Sequence, residues 1–358
     1  MKKILFVCST PFQVLSSLFL VNSLNDKAYK HLMIINQFPY EKIARNIKHE
    51  KLFDKISALD ERKIFRKDSK SMLVVRLSQI VTYIDCRKIV KKLLPDIEGY
   101  TDIFVSSRSP VNRLICMYAA EYVRECKIHY FDDGIGSYTN TIVDIKKIDK
   151  VLRSVLVGRR AANYSYDRYL YSPLLYKQLH SNDNTDIHMI QINADQEQIK
   201  RIFTFNDSDS INEPVLIFDV VMSRTFFPEG ETLYKNAINL ILNKKQCMIK
   251  PHPREKNKIF DGKYIENTTM PFEVMCYSQN FSEKALVSNF STAVFMPKIL
   301  FNQEPKIILL YKLMEMYRRD NSLFDDEIVR DFIKLYKDKN KIFIPTNIEE
   351  LDYIIENY

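Results

Sequence analysis

Short apolar runs recur along this chain, each followed by a polar cluster and then by a segment with helical spacing. The first run, Ile4 to Cys8, reads as a buried central strand. Ser9 or Thr10 can cap a helix that carries Pro11 in its first turn and runs through Phe12, Leu15 and Phe19 toward Leu24. Strands are expected at 32–35, 102–106 and 127–131, with helices at 72–94 (long or broken) and 111–124. A strand, a loop and a helix at the very start are the usual opening of a doubly wound sheet. The polar stretch Asn206 to Ser210, ahead of Pro214, is the best linker. The alternation then restarts, with strands at 215–219, 247–250, 284–287 and 306–310. Helices are expected at 230–243, from Ser291, and near 323–337 and 347–357. The expected fold is α/β: two Rossmann-like domains, 1–192 and 214–358, facing across a cleft and joined by a linker at 193–213. The last helix is a candidate to pack back on the N-terminal domain.

With 358 residues the chain is long enough for two such cores, and 46% apolar with 27% charged residues is a globular balance. The net charge is +8, but both signs are interleaved. A nucleic-acid binder would concentrate its charge on one face, so that class is set aside; a modest excess suits an anionic ligand or an anionic membrane surface. The six cysteines form no C-x-x-C pair, which argues against a zinc site and for buried free thiols in a reducing compartment. No run reaches the ~18 apolar residues that span a bilayer. Lys2-Lys3 and the run after it imitate a signal peptide, but Ser9-Thr10-Pro11 ends the run and no A-x-A site follows. The expected location is cytoplasmic. A Walker-type nucleotide site is excluded, since no G-x-x-x-x-G-K-[ST] occurs.

Ligands of open parallel sheets bind beyond the carboxyl ends of the strands, and the three most polar clusters of this chain lie there. In Asp132-Asp133-Gly134-Ile135-Gly136, adjacent side chains of an extended segment face opposite sides. One carboxylate can then act as general base and the other hold the turn through backbone N–H groups; a purely structural Asx turn is the common alternative. In Lys250-Pro251-His252-Pro253-Arg254, two prolines stiffen the backbone around an imidazole that can protonate or hydrogen-bond a leaving phosphate. Arg254 can grip that phosphate. Ser288-Asn289-Phe290-Ser291-Thr292 offers hydroxyls and N–H groups at a helix start, as a phosphate cradle or as a plain N-cap. Pro297 should kink or shorten the helix that follows. The loop carrying Thr10 and Gln13 ends the first strand. Residues 145–160 combine Ile145, Ile148, Leu152, Val155 and Leu156 at helical spacing with Lys146, Lys147, Lys150, Arg153, Arg159 and Arg160. They suit either an ordinary surface helix or contact with anionic lipid headgroups or a lipid-linked acceptor.

In this order, Phe131 to Gly136, Pro251 to Arg254 and the Ser/Thr cluster 288–292 resemble bacterial sialyltransferases, closest to glycosyltransferase family 52. The related polysialyltransferases share the same short motifs. The resemblance implies a GT-B fold, with the N-terminal domain on the acceptor side and the C-terminal domain on the donor side. It implies an inverting, metal-independent enzyme without cofactor that transfers sialic acid from CMP-sialic acid to a sugar hydroxyl. His252 would act on the leaving phosphate, and Ser288, Ser291 and Thr292 would bind CMP with help from Pro253 and Arg254. Asp133 would be the base. Asp132, Gly134, Gly136, Thr10 and Gln13 would belong to the acceptor side or the turn. Some relatives place a catalytic aspartate after the first strand of the C-terminal domain, which makes Asp219 the second choice of base. The implied partners are a nucleotide sugar and an oligosaccharide or lipid-linked glycan of a bacterial capsule or lipooligosaccharide; the positive charge and residues 145–160 add peripheral contact with the inner face of an anionic membrane as an expectation. The alternatives are a UDP-hexose or CDP-polyol transferase and a non-catalytic nucleotide-binding partner in glycan assembly.

Overall fold

The computed structural model describes residues 1–24, 27–61, 64, 80–106, 109–138, 147–252, 255, 257–267, 270–319 and 326–357. The chain divides into two compact units, 1–173 with 182–202 and 174–181 with 203–358. The helix Gln196–Phe203 lies inside the stretch read as linker, and the change of unit falls at its last residue. Asp207–Asp209 form one 3₁₀ turn beyond it.

Among the described residues the first unit holds seven strands: β1 (Lys3–Cys8), β2 (Tyr29–Ile35), β3 (Lys55–Leu59), β4 (Asp102–Val105), β5 (Lys127–Phe131), β6 (Asp167–Leu170) and β7 (Ile187–Met189). They pair in the order β3-β2-β1-β4-β5-β6-β7, every pair parallel. The order reverses between β1 and β4, where Val7 lies beside Val105. β1 and β4 are covered on both faces, which is why they read as unbroken apolar runs. The helix Pro11–Ser23 is buried from Phe12 to Val21. The expected helix 72–94 is broken: residues 72–79 lie outside the described residues, 80–84 are helical, and Asp85 separates them from the helix Cys86–Leu93.

The second unit holds β8 (Val215–Phe218), β9 (Cys247–Lys250), β10 (Lys263–Tyr264), β11 (Ala285–Ser288), β12 (Lys306–Leu309) and β13 (Ile342–Phe343). Their order is β10-β9-β8-β11-β12-β13, again parallel throughout. The reversal falls between β8 and β11, so both sheets follow one doubly wound plan. The last helix, Ile348–Asn357, puts Leu351 and Ile355 into the core of this unit.

The helix expected from Ser291 is divided. Thr292–Phe295 make one 3₁₀ turn, and a separate helix, Met296–Phe301, begins with Pro297 in its first turn. Proline has no N–H to give and its ring fixes φ, so the first turn is where a helix tolerates it.

The helix Pro228–Lys244 passes close to Tyr317, whose carbonyl oxygen accepts the Phe227 N–H at 2.8 Å. A Cβ on Gly230 would lie 2.5 Å from the Tyr317 Cβ. Gly230→Ala is expected to lower unfolding free energy by about 1–3 kcal/mol through overpacking. Urea unfolding reads this out, and an unchanged midpoint would contradict the close approach.

Candidate functional site

In the first unit the polar groups gather beyond β1, β4 and β5. Thr10 caps the helix Pro11–Ser23, its hydroxyl accepting the Gln13 N–H at 3.1 Å. Gln13 is fully buried and bends back: its Oε1 accepts from the Ser9 N–H at 2.6 Å and the Ser9 hydroxyl at 3.1 Å. Its Nε2 has no partner among the described residues, and neither has the buried Ser106 hydroxyl just past β4. The register that pairs Val7 with Val105 brings Ser106 alongside Cys8 at the point where strand order reverses. Two buried polar atoms left open at such a point are unusual, because burial without a hydrogen bond costs free energy.

The structure divides the two adjacent aspartates. Asp132 is wholly buried, and its carboxylate accepts from Gly134 N–H at 2.8 Å, Tyr171 N–H at 3.2 Å and the Tyr138 hydroxyl. Burial pushes this carboxyl up to about 6, with the three donors working against that rise. The Tyr138 oxygen in turn accepts the Ser172 N–H at 3.0 Å. Ser16 bridges the helix Pro11–Ser23 to the turn, donating to the Asp132 carbonyl and accepting from the Tyr171 hydroxyl at 2.8 Å. Asp132 is thus the turn-holding member of the pair. Gly134 sits at φ 96°, where a side chain would be strained. Asp133 is half-buried, its N–H donating to the Ser137 hydroxyl at 2.8 Å, and its charge is felt by the Cys8 thiol at the end of β1. Gly136 is exposed, and a Cβ there would meet nothing within 4 Å.

In the second unit three strand ends meet. The Asp219 N–H donates to the Lys250 carbonyl at 3.0 Å, and the register of Phe218 with both Lys250 and Ser288 places Asp219 between Pro251 and Asn289. Asp219 is 4% exposed; Oδ1 accepts the Val220 N–H at 2.8 Å, and Oδ2 has no partner among the described residues. Burial pushes its carboxyl up to about 6, with the Glu255 charge adding to the rise and the Val220 N–H opposing it. The Asn289 Oδ1 beside it is also buried without a partner among the described residues. His252 is half-buried, and its carbonyl accepts the Glu255 N–H at 2.8 Å, closing a turn. Lys250 does not add surface charge to this edge. It is buried, donates to the Met270 carbonyl at 2.8 Å, and burial pulls its ammonium down to about 8. Pro253 and Arg254 lie outside the described residues.

The third cluster is a tight turn. The Ser288 hydroxyl accepts the Ser291 N–H at 2.7 Å, and the Ser291 hydroxyl accepts the Ala293 N–H at 3.3 Å. Thr292 is exposed. A single 3₁₀ turn carries little aligned dipole, so the helix-dipole argument for a phosphate cradle does not hold here; hydroxyls and backbone N–H groups remain. Among the described residues, no three His, Cys, Asp or Glu side chains gather in a way that could hold a metal ion.

Sequence reading missed the open oxygen of Asn289 and the hydroxyl of Ser106. Asn289 lay inside a cluster valued for its hydroxyls, and Ser106 closed an apolar run with no other polar signal.

These two doubly wound parallel units give the chain a GT-B fold. The sequence model of the alpha-2,8-polysialyltransferase family (POLYST) matches residues 4–311, and the chain belongs to that family. It is therefore a glycosyltransferase of bacterial sialyltransferase type. Among curated protein sequences none matches. Among solved structures, Arabidopsis thaliana UGT89C1 complexed with UDP is 9% identical, with 100% of this chain and 90% of that chain covered and a TM-score of 0.55. S. aureus MnaA in its co-structure with UDP is 11% identical, covering 100% of this chain and 87% of that chain at a TM-score of 0.52. A UDP-N-acetylglucosamine 2-epimerase is 10% identical, covering 99% and 86% at 0.51. These likenesses show the fold. Since an epimerase shares it, the reaction must be argued from the site.

Folding raises the Asp219 carboxyl from 3.8 to about 6. Between those values the folded chain keeps a proton that the unfolded chain has released. The stabilisation is therefore full below 3.8 and is lost as pH rises toward 6. Asp219→Asn stays neutral throughout. Urea unfolding is expected to show the variant more stable than the wild type above about pH 6 and level with it at the acid end. Parallel pH profiles would contradict the burial of an ionisable carboxyl there.

Proposed function

We propose that the protein is an inverting sialyltransferase that moves sialic acid from CMP-sialic acid to a terminal sugar hydroxyl of a bacterial surface glycan, capsule or lipooligosaccharide. The observation that carries the reading is the meeting of His252, Asp219 and Asn289 at the carboxyl ends of β8, β9 and β11, in a chain of the polysialyltransferase family. The order of its motifs also resembles that of glycosyltransferase family 52.

The acceptor oxygen attacks the anomeric carbon as the bond from that carbon to the CMP phosphate breaks, inverting the centre. The acceptor proton passes to Asp133, which is more open than Asp132. His252 donates a hydrogen bond or a proton to the departing phosphate. Ser288, Ser291 and Thr292, with Pro253 and Arg254, hold the CMP moiety, while Thr10, Gln13, Gly134 and Gly136 shape the acceptor side around the Asp132 turn. A second reading gives the base to Asp219, favoured by its carboxyl near 6 and its open oxygen. The chemistry asks for no metal or cofactor on this reading, and the enzyme works in the cytoplasm on an oligosaccharide or lipid-linked acceptor.

The test is CMP release from CMP-sialic acid in EDTA, with lactose and N-acetyllactosamine as acceptors, beside UDP-sugars and CDP-glycerol as donors. CMP release is expected, and His252→Ala should cut kcat by about 10²–10⁴-fold. Asp133→Asn should do the same, with Asp219→Asn much milder; the reverse pattern would move the base to Asp219. Turnover of a UDP-sugar or CDP-glycerol alone would keep the fold and discard the donor. A loss under about tenfold in His252→Ala would remove the histidine from the chemistry.

A further inference from the structure

One helix of the first unit presents to solvent the kind of side chains that helices ordinarily bury. In Lys147–Leu156, Ile148 is 74% exposed, Val151 62% and Val155 76%. Their spacing of three and four residues puts them on one face. The opposite face carries Leu152 and Leu156, which pack on the core, together with a charged pair. Arg153 is 4% exposed and lies 2.6 Å from Asp149, which also accepts from the Tyr83 hydroxyl at 2.7 Å. The sequence pattern had grouped Ile148 and Val155 with Leu152 and Leu156, and Arg153 with the surface cations. The structure turns the helix so that its ion pair faces inward and its β-branched residues face out.

The neighbourhood extends the patch. Tyr83 connects the helix to residues 80–84, where Val81 is 57% and Ile84 61% exposed. Around these apolar side chains Lys150, Arg159, Arg160, Arg87 and Lys88 are exposed. Arg87 joins this flank through the Tyr122 ring, 5.6 Å from its guanidinium, and the Tyr122 hydroxyl donates to the Val157 carbonyl. The nearby acids are mostly engaged: Asp149 with Arg153 and Tyr83, and Glu121 with the backbone N–H groups of Arg160 and Ala161. Among the described residues Asp85 and Glu98 are exposed, Glu98 pairing with Lys91 near Arg87.

We propose that this face docks on an anionic lipid bilayer, with Ile148, Val151 and Val155 entering the boundary between headgroups and acyl chains and the surrounding cations meeting lipid phosphates. Apolar insertion rimmed by Lys and Arg is the arrangement that binds negatively charged membranes in a salt-dependent way. A second copy of the chain is the poorer occupant, since a two-fold contact would set the two cationic rims against each other. The proposal does not rest on the transferase reading, and its failure would leave that reading untouched.

Flotation of the full chain with vesicles tests it. Binding is expected to phosphatidylcholine vesicles containing phosphatidylglycerol, to weaken with added salt, and to be slight on phosphatidylcholine alone. The double variant Val151→Ser/Val155→Ser should bind at least about tenfold more weakly, with its melting temperature and its turnover of a soluble acceptor unchanged. Lys150→Glu/Arg159→Glu should bind more weakly still at low salt. Absence of binding to the anionic vesicles, or equal binding by the variants, would overturn the proposal. So would a dimer in light scattering that Val151→Ser/Val155→Ser dissociates, since the face would then be covered by a second copy.

Discussion

Parallel pairing is the constraint on which the rest depends. Every strand pair in both sheets is parallel, so each strand must be followed by a crossover, and all carboxyl ends of a sheet fall along one edge. The interiors of the strands are buried on both faces and hold little polar chemistry. The strand ends must turn, cap helices and meet water, and that is where Gln13, Asp132, Asp133, Asp219, His252 and Asn289 stand. In each unit the reversal of strand order opens this edge at one place, between β1 and β4 or between β8 and β11. Buried polar atoms without partners among the described residues occur at both places: Gln13 Nε2 and Ser106 Oγ in one unit, Asp219 Oδ2 and Asn289 Oδ1 in the other.

The aspartate pair shows how one turn separates structure from chemistry. Asp132 is held by donors from Gly134, Tyr138 and Tyr171, so moving it would disturb three segments together. Asp133 is one residue further on and more open to solvent. Its placement is inherited from the rigidity of its neighbour. Asp219 solves the problem differently. It is nearly as buried as Asp132 but, among the described residues, its carboxylate accepts one backbone hydrogen bond, from Val220, and its second oxygen stays open. A carboxyl in that state is costly for the fold, and such costs gather at functional sites.

The central strands were legible because two-sided burial demands apolar runs, as in ILFVC of β1 and VLIF of β8. The edge strands were not. β3 reads KISAL with no fully buried residue, β7 is three residues of mostly exposed chain, and β10 and β13 are two residues each. Neither alternation nor an apolar run marks such pieces. The helix Gln196–Phe203 was hidden by its polar composition inside what looked like a linker, and Pro297 divided the helix expected from Ser291. At the site, the sequence showed which clusters end strands. It did not show that Tyr171, far along the chain, would choose Asp132 as the turn holder, because that depends on where β6 pairs with β5. In the sequence Asp219 was the second choice of base; in three dimensions its buried setting raises its carboxyl and leaves an oxygen open.

The central claim is that the carboxyl edge of the second sheet holds the nucleotide. Hydrogen exchange in saturating CMP tests it directly. Slower exchange is expected for amides of segments 219–222, 250–252 and 288–293, with the opposite ends of β8, β9 and β11 unchanged. Protection confined to the first unit, or no protection anywhere at saturation, would contradict the account.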